Sequence, residues 1–138
     1  MVDKWDIRFC SLDPVIGSGQ RGTRPVLVVS NDAVNHAIPV STVLPLSSMK
    51  ADDKVYPTEV LLPAGVTGLP KDSVAMVQQV RTVAHTRLDK LSGRLEDAAA
   101  RAQVLEALRK YFEYLYPTWA APTTQYINGS YYRAAHSG

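Results

Sequence analysis

One cysteine, Cys10, stands in 138 residues. No disulfide can form within the chain, and neither a cysteine zinc framework nor a secreted disulfide scaffold is available to it. Histidine is almost as scarce. His36, His85 and His136 share no helix face and no metal-ligand spacing, so the reading carries no metal site and no cofactor. No apolar run is long enough to span a bilayer, and Met1 to Asp6 contains no signal-peptide core. A reduced, cytoplasmic, single-domain protein is predicted. An excess of one charge is lacking too: 15 Lys and Arg against 13 Asp and Glu leave +2, too mild to name a nucleic-acid binder by itself. With 46% hydrophobic and 20% charged residues, the chain is neither disordered nor low in complexity, and it is long enough to bury one core.

The β-branched and alternating stretches come first along the chain. Residues 5–12 and 25–30 read as strands, separated by a Gly-rich loop at 14–23 that contains no acidic residue. Residues 32–37 suit one helical turn with Asp32 as its cap. Residues 38–47 read as a strand that Pro39 and Pro45 push toward an edge or a bulge. A polar loop at 48–56, a short strand at 58–62 and a turn at 66–71 follow. Residues 73–84 form the longest strand-like stretch, and a short helix is expected near 86–91. Then the period changes. Leu95, Ala98, Ala102, Leu105, Leu108, Phe112 and Leu115 recur every three or four residues and predict one amphipathic helix, stopped by Pro117. Strands followed by a helix give an α+β, mainly β fold: a small twisted barrel or sandwich with the helix packed on it. The division is a domain at 1–116 and a tail at 117–138. Eight of the 11 aromatics lie at or after Tyr111, so the tail should pack on its own domain or on a partner.

Few residues offer chemistry. Gly17-Ser18-Gly19 is too short for a dinucleotide fingerprint, and no Walker lysine follows it. The histidines read as loop or strand-end residues, with a two-histidine acid–base pair as the sharper alternative. Cys10, with no basic neighbour evident in the sequence, reads as a small buried hydrophobe. Arg24 is more informative. Pro25 restricts it to extended backbone at the start of a buried strand, so a planar fork of donors that matches a phosphate is held at the rim of a rigid sheet. The alternative is a surface arginine paired with a carboxylate.

Two stretches carry a resemblance. Leu12-Asp13-Pro14-Val15-Ile16-Gly17-Ser18, then Gln20, Gly22 and Arg24-Pro25-Val26-Leu27-Val28-Val29-Ser30-Asn31-Asp32, resemble the opening of MazF/PemK-type toxins, the endoribonucleases of toxin–antitoxin modules. Leu69, Asp72-Ser73-Val74, Val77 and Gln79-Val80-Arg81-Thr82-Val83, followed by Arg87-Leu88, are similar to the family's later strand and the helix after it. The resemblance runs from about residue 5 to 115. It implies a compact SH3-like barrel of the plasmid-maintenance toxin type, a homodimer, and metal-independent, sequence-selective cleavage of single-stranded RNA to a 2′,3′-cyclic phosphate and a 5′-hydroxyl. It also implies a MazE-like antitoxin partner. The family's essential arginine falls on Arg24 and its strand-end hydroxyl on Ser47. RNA contacts are expected from Ile16, Gly17, Ser18, Gln20, Arg21, Ser48, Gln78, Gln79 and Arg81. Three departures stand out: Lys4-Trp5-Asp6 where the family usually has Arg-Gly-Asp, Gly19 where it often has Glu, and Arg21 where it often has Gly. Toxins of the same barrel that poison a topoisomerase, CcdB-like, and an inactive RNA- or antitoxin-binding homologue are the competing classes, since fold alone does not separate them.

Overall fold

The computed structural model describes residues 1–12, 23–49 and 54–112, with two short strands at 125–127 and 130–132. β1 (Asp6–Ser11), β2 (Thr23–Val28) and β3 (Val40–Ser48) run antiparallel side by side. β4 (Glu59–Leu62) and β5 (Ser73–Met76) extend the sheet beyond one end of β3, β6 (Arg81–Ala84) pairs with its other end, and β7 (Leu88–Arg94) pairs with β1. The order is β4-β5-β3-β2-β1-β7 with β6 off the path. Among the described residues no pairing joins the two ends, so the expected barrel is a curled sheet that does not close. No helix of the described residues is long and apolar enough to cross a membrane.

β3 is the most heavily paired strand, not the edge that its prolines suggest. The geometry at Pro45 explains why. The Thr42 amide donates to Ser30 Oγ and its carbonyl accepts from the Val29 amide, each at 2.9 Å, so Thr42 faces β2. Backbone groups alternate along a strand, which turns the Pro45 nitrogen away from β2. On that side β6 has ended at Val43 and β5 begins at Leu46. The missing donor falls in the one gap of the ladder, and no hydrogen bond is lost.

The predicted 73–84 strand is broken for the same reason. It must pair with both halves of β3, and a 3₁₀ turn at Val77–Gln79 carries the chain between them. The helix expected near 86–91 is absent: His85–Arg87 is a 3₁₀ turn and β7 begins at Leu88. At α1 (Asp32–Asn35) the cap is Asn31, whose side chain accepts from the Ala33 amide, and not Asp32. A second short helix, α2 (Ala64–Thr67), ends on Gly68 at φ 78, the left-handed conformation that glycine adopts without cost.

α3 (Ala98–Tyr111) is capped by Asp97, which accepts from the Ala100 amide at 2.8 Å. Its buried residues are Ala100, Val104 and Ala107. Of the expected stripe, Leu95 is buried just before the helix and Leu108 is half-buried. Ala98, Ala102, Leu105 and Phe112 are exposed, and Leu115 lies outside the described residues. Ala100 and Ala107, on the face turned to the sheet, let the helix backbone approach it closely. Ile7, Leu27, Leu44, Leu46 and Leu62 fill the core beneath α3. Each such side chain contributes roughly 1.5–3 kcal/mol by leaving water.

Trp5 takes a left-handed backbone at φ 75, a conformation that glycine adopts without cost and other residues rarely do. Burial of its ring, with the Lys4 ammonium 5.2 Å and the Arg101 guanidinium 5.3 Å from the ring centre, offsets the strain. Beside it, buried Asp6 accepts from Arg8 Nε at 3.2 Å, Arg94 Nη1 at 3.0 Å and the Asp3 amide at 3.0 Å, tying β1 to β7.

In the tail, β8 (Gln125–Ile127) and β9 (Ser130–Tyr132) pair antiparallel. The residues between them in the sequence are Asn128 and Gly129, the pair most favoured in a two-residue hairpin connection.

Candidate nucleic-acid interface

Side chains alternate across a strand, so the pairing register says which residues share a face. Arg24 lies opposite Cys10 on β1. The β2–β3 register ends at Val26 opposite Pro45. Continued by two residues, it sets Arg24 opposite Ser47. Ser47 in turn lies opposite Val74 on β5, and Val74 opposite Leu61 on β4. By that continuation Arg24 and Ser47 share a face at the ends of adjacent strands, two residues beyond the Val26–Pro45 pair where the ladder stops. Both are half-buried. Ser48, one residue on, turns to the opposite face by the two-residue period and is exposed at the strand end.

Arg81 lies opposite Val43 and is exposed on the same face as Arg24. The Cys10 thiol reports the local field. Burial raises its pKa above the usual 9.0, while the charges of Arg81 and Arg87 pull it down and Asp89 adds to the rise. Burial wins, so the thiol stays protonated at neutral pH and Cys10 is the expected inert hydrophobe. The basic neighbours that the sequence did not reveal are nonetheless there: Arg24, Arg81 and Arg87 surround one apolar patch of Cys10, Val26, Val28, Val43 and Val83. Arg87, part of the second motif but not among the expected RNA contacts, belongs to this set.

Gln78 and Gln79 are exposed on the 3₁₀ turn. Gln78 Nε2 donates to Glu59 Oε2 and Thr58 Oγ1 donates to Gln78 Oε1, both at 3.1 Å. Glu59 lies opposite Met76, two residues from the Leu61–Val74 pair, and so on the Ser47 face. Ile16, Gly17, Ser18, Gln20 and Arg21 lie outside the described residues.

Neither His36 nor His85, the two histidines among the described residues, is brought to this row. His85 Nε2 lies 2.7 Å from Ser41 Oγ, and Ser41 is six residues up β3 from Ser47, about 20 Å by strand rise. His36 Nε2 lies 2.6 Å from Asp3 Oδ1, with Asp32 beside it. Asp3, Asp32 and His36 have ligand-type atoms within 4.8 Å of one another, a grouping across 33 residues that no spacing rule finds. Each is already engaged: Asp3 with His36 and Arg94, and Asp32 with the Lys4 amide and Asn35. The Lys4 amide, then Asn35, hold the Asp32 carboxyl below its usual range. The arrangement clasps the N-terminus to α1. A groove of ≈ 750 Å³ between β4 and α3 is lined by Glu59, Leu61, Asp97, Ala100, Gln103 and Glu106 among others, and neither Arg24 nor Ser47 lines it. Chemically, the arginine face offers fixed cations and a hydroxyl to an anion.

Residues 3–112 match the family model of the PemK-like, MazF-like toxin of type II toxin–antitoxin systems. The chain is 41% identical over 118 residues to Endoribonuclease MazF9 of Mycobacterium tuberculosis, covering 82% of this chain and 98% of the relative. It is 37% identical over 97 residues to Endoribonuclease EndoA of Bacillus subtilis, covering 70% and 83%. Among solved structures, MazE-MazF (Form-III) from Deinococcus radiodurans shares the fold at a TM-score of 0.65 and 25% identity, covering 81% of this chain and 96% of that one.

Proposed function

Since the chain belongs to the PemK-like, MazF-like toxins of type II toxin–antitoxin systems, we propose that it is the toxin of such a module and cuts single-stranded RNA without a metal ion. The observation that supports the reading is the strand register, which by side-chain alternation puts Arg24, Ser47 and Arg81 on one face of the sheet. RNA supplies its own nucleophile, the 2′-hydroxyl next to each phosphodiester. That oxygen attacks phosphorus, the bond to the 5′-oxygen breaks, and the products are a 2′,3′-cyclic phosphate and a 5′-hydroxyl. The 2′-hydroxyl loses a proton and the leaving 5′-oxygen gains one. Between these ends the phosphoryl oxygens carry extra negative charge. Donors already aimed at it stabilise the transition state without reorganising. Arg24 supplies a planar, permanently charged fork, and the Ser47 hydroxyl a second, neutral donor. Arginine holds its proton at neutral pH, so Arg24 stabilises charge or protonates the leaving oxygen and is not the base.

Cleavage of a single-stranded RNA should proceed in excess EDTA and leave 3′ ends that a phosphatase removes only after the cyclic phosphate is opened. Activity that vanishes in EDTA and returns with magnesium would overturn the mechanism.

The working unit is a homodimer of the 1–116 domain, with residues 117–138 as an appended tail, and its cognate partner is a MazE-like antitoxin. The family membership supports both, and the relative named MazE-MazF supports the second. A positive face suits an acidic segment that competes with RNA, and such binding weakens as salt rises. Sedimentation at micromolar concentration checks the dimer; a fully active monomer would refute it.

A further inference from the structure

We infer that Glu59 and Thr58 are positioning residues: they lock the side-chain amide of Gln78 in one orientation, and the locked amide selects a base flanking the cut. The inference rests on the RNA-cleaving reading above and adds what sets part of its sequence preference.

An isolated glutamine amide is an ambiguous reader. Rotated by half a turn, it exchanges its donor for its acceptor, and the base edge that it complements is inverted. Gln78 has no such freedom. An ionised carboxylate only accepts hydrogen bonds, so the group facing Glu59 Oε2 at 3.1 Å must be the NH2 end. The Thr58 hydroxyl donates to the opposite end, Oε1, at 3.1 Å. Glu59 is itself held, since its Oε1 accepts from the Tyr56 amide at 3.0 Å. The turn beneath is fixed by the Val77 amide on the Thr58 carbonyl at 3.1 Å and the Val80 amide on the Val77 carbonyl at 3.0 Å. After these bonds Gln78 retains one N–H and one lone pair, on an exposed side chain. They form a donor and an acceptor of fixed order.

The position fits a flanking base. Glu59 and Ser47 share a sheet face, two strands and one two-residue step apart, which is roughly 12 Å by strand spacing and rise. Glu59, with the amide bonded to it, therefore stands away from the phosphate expected beside Ser47, yet on the same sheet face. Preorganisation turns this into selectivity: an amide that need not be ordered on binding loses less entropy with the matching base and cannot rotate to satisfy a mismatched one.

The test uses the full-length chain and a random single-stranded RNA pool, reading base frequencies around each cut, with side-chain amide NMR of Gln78 alongside. Glu59→Gln replaces an acceptor-only partner with one that can satisfy either end of Gln78. Thr58→Val removes the hydroxyl and keeps the shape. Glu59→Gln should lower discrimination at one flanking position by about tenfold, the scale of one good base-edge contact. Thr58→Val should lower it at the same position by less, and Gln78→Ala should erase it. Glu59→Gln added to Gln78→Ala should change nothing further. In the NMR spectrum the two Gln78 amide protons should be well separated in the wild type and converge in Glu59→Gln. A uniform fall in cutting with an unchanged base profile would mean a merely structural role and overturn the inference. So would a further change from Glu59→Gln once Gln78 is gone. Wild-type protein that cuts no RNA sinks the nuclease reading and this inference with it, whereas wild-type cutting with an insensitive profile sinks the inference alone.

Discussion

Arg24→Ala should remove detectable RNA cleavage, a fall of at least about 10²–10³ in rate, the range seen when one preorganised donor to a developing oxyanion is deleted. The loss should exceed that range's lower end because the donor carries a full charge in a half-buried setting, where Coulomb interactions are less screened than in water. Arg24→Lys keeps the charge but not the planar fork and should recover little. Ser47→Ala should cost less than Arg24→Ala, since it removes a neutral donor and leaves the charged one in place. His36→Ala and His85→Ala should retain most activity, because Ser41, which holds His85, lies about 20 Å along β3 from Ser47. A folded, inactive histidine variant would instead revive a two-histidine mechanism. Initial rates on one RNA substrate, with a melting curve for each variant, separate these outcomes.

Asp6→Ala should destabilise the fold by about 3–5 kcal/mol, the cost of removing one partner from a buried ion pair. The Asp6 carboxylate is 1% exposed and accepts from Arg8, Arg94 and the Asp3 amide. Without it the Arg8 guanidinium, itself 13% exposed, keeps only carbonyl partners at Met1 and Asp89. Asp6→Asn should cost less, because the amide oxygen still accepts from one arginine. Urea midpoints at constant m-value read the effect. A midpoint equal to wild type for Asp6→Ala would show that the pair is no net support.

The strand and helix signals were legible because they are local. Arg24-Pro25 before a β-branched run names a rim arginine on a buried strand from three facts of covalent geometry and burial, and the register agrees. The 3.6-residue period placed α3, and the alternating strands placed β1 and β2 within two residues. Composition excluded disulfides and a cysteine zinc framework without any structure.

What the chain alone did not decide are relations between distant segments. Pro45 reads as an edge residue until the gap between β5 and β6 opposite it is known. The periodic stripe on α3 runs through Ala98, Ala102, Leu105 and Phe112, all exposed, whereas Ala100, Val104 and Ala107 face the sheet, because the period alone does not say what the helix packs against. Trp5 takes a glycine conformation because the ring is buried between elements that meet only in the fold. Glu59 meets Gln78 across 19 residues, and Asp3 meets His36 across 33. Local periodicity, capping and turn chemistry are properties of a few consecutive residues, so the sequence determined them. Partners brought together by strand register exist only once the sheet has curled, so tertiary structure decided which arginines share a face and which carboxylate orients which amide.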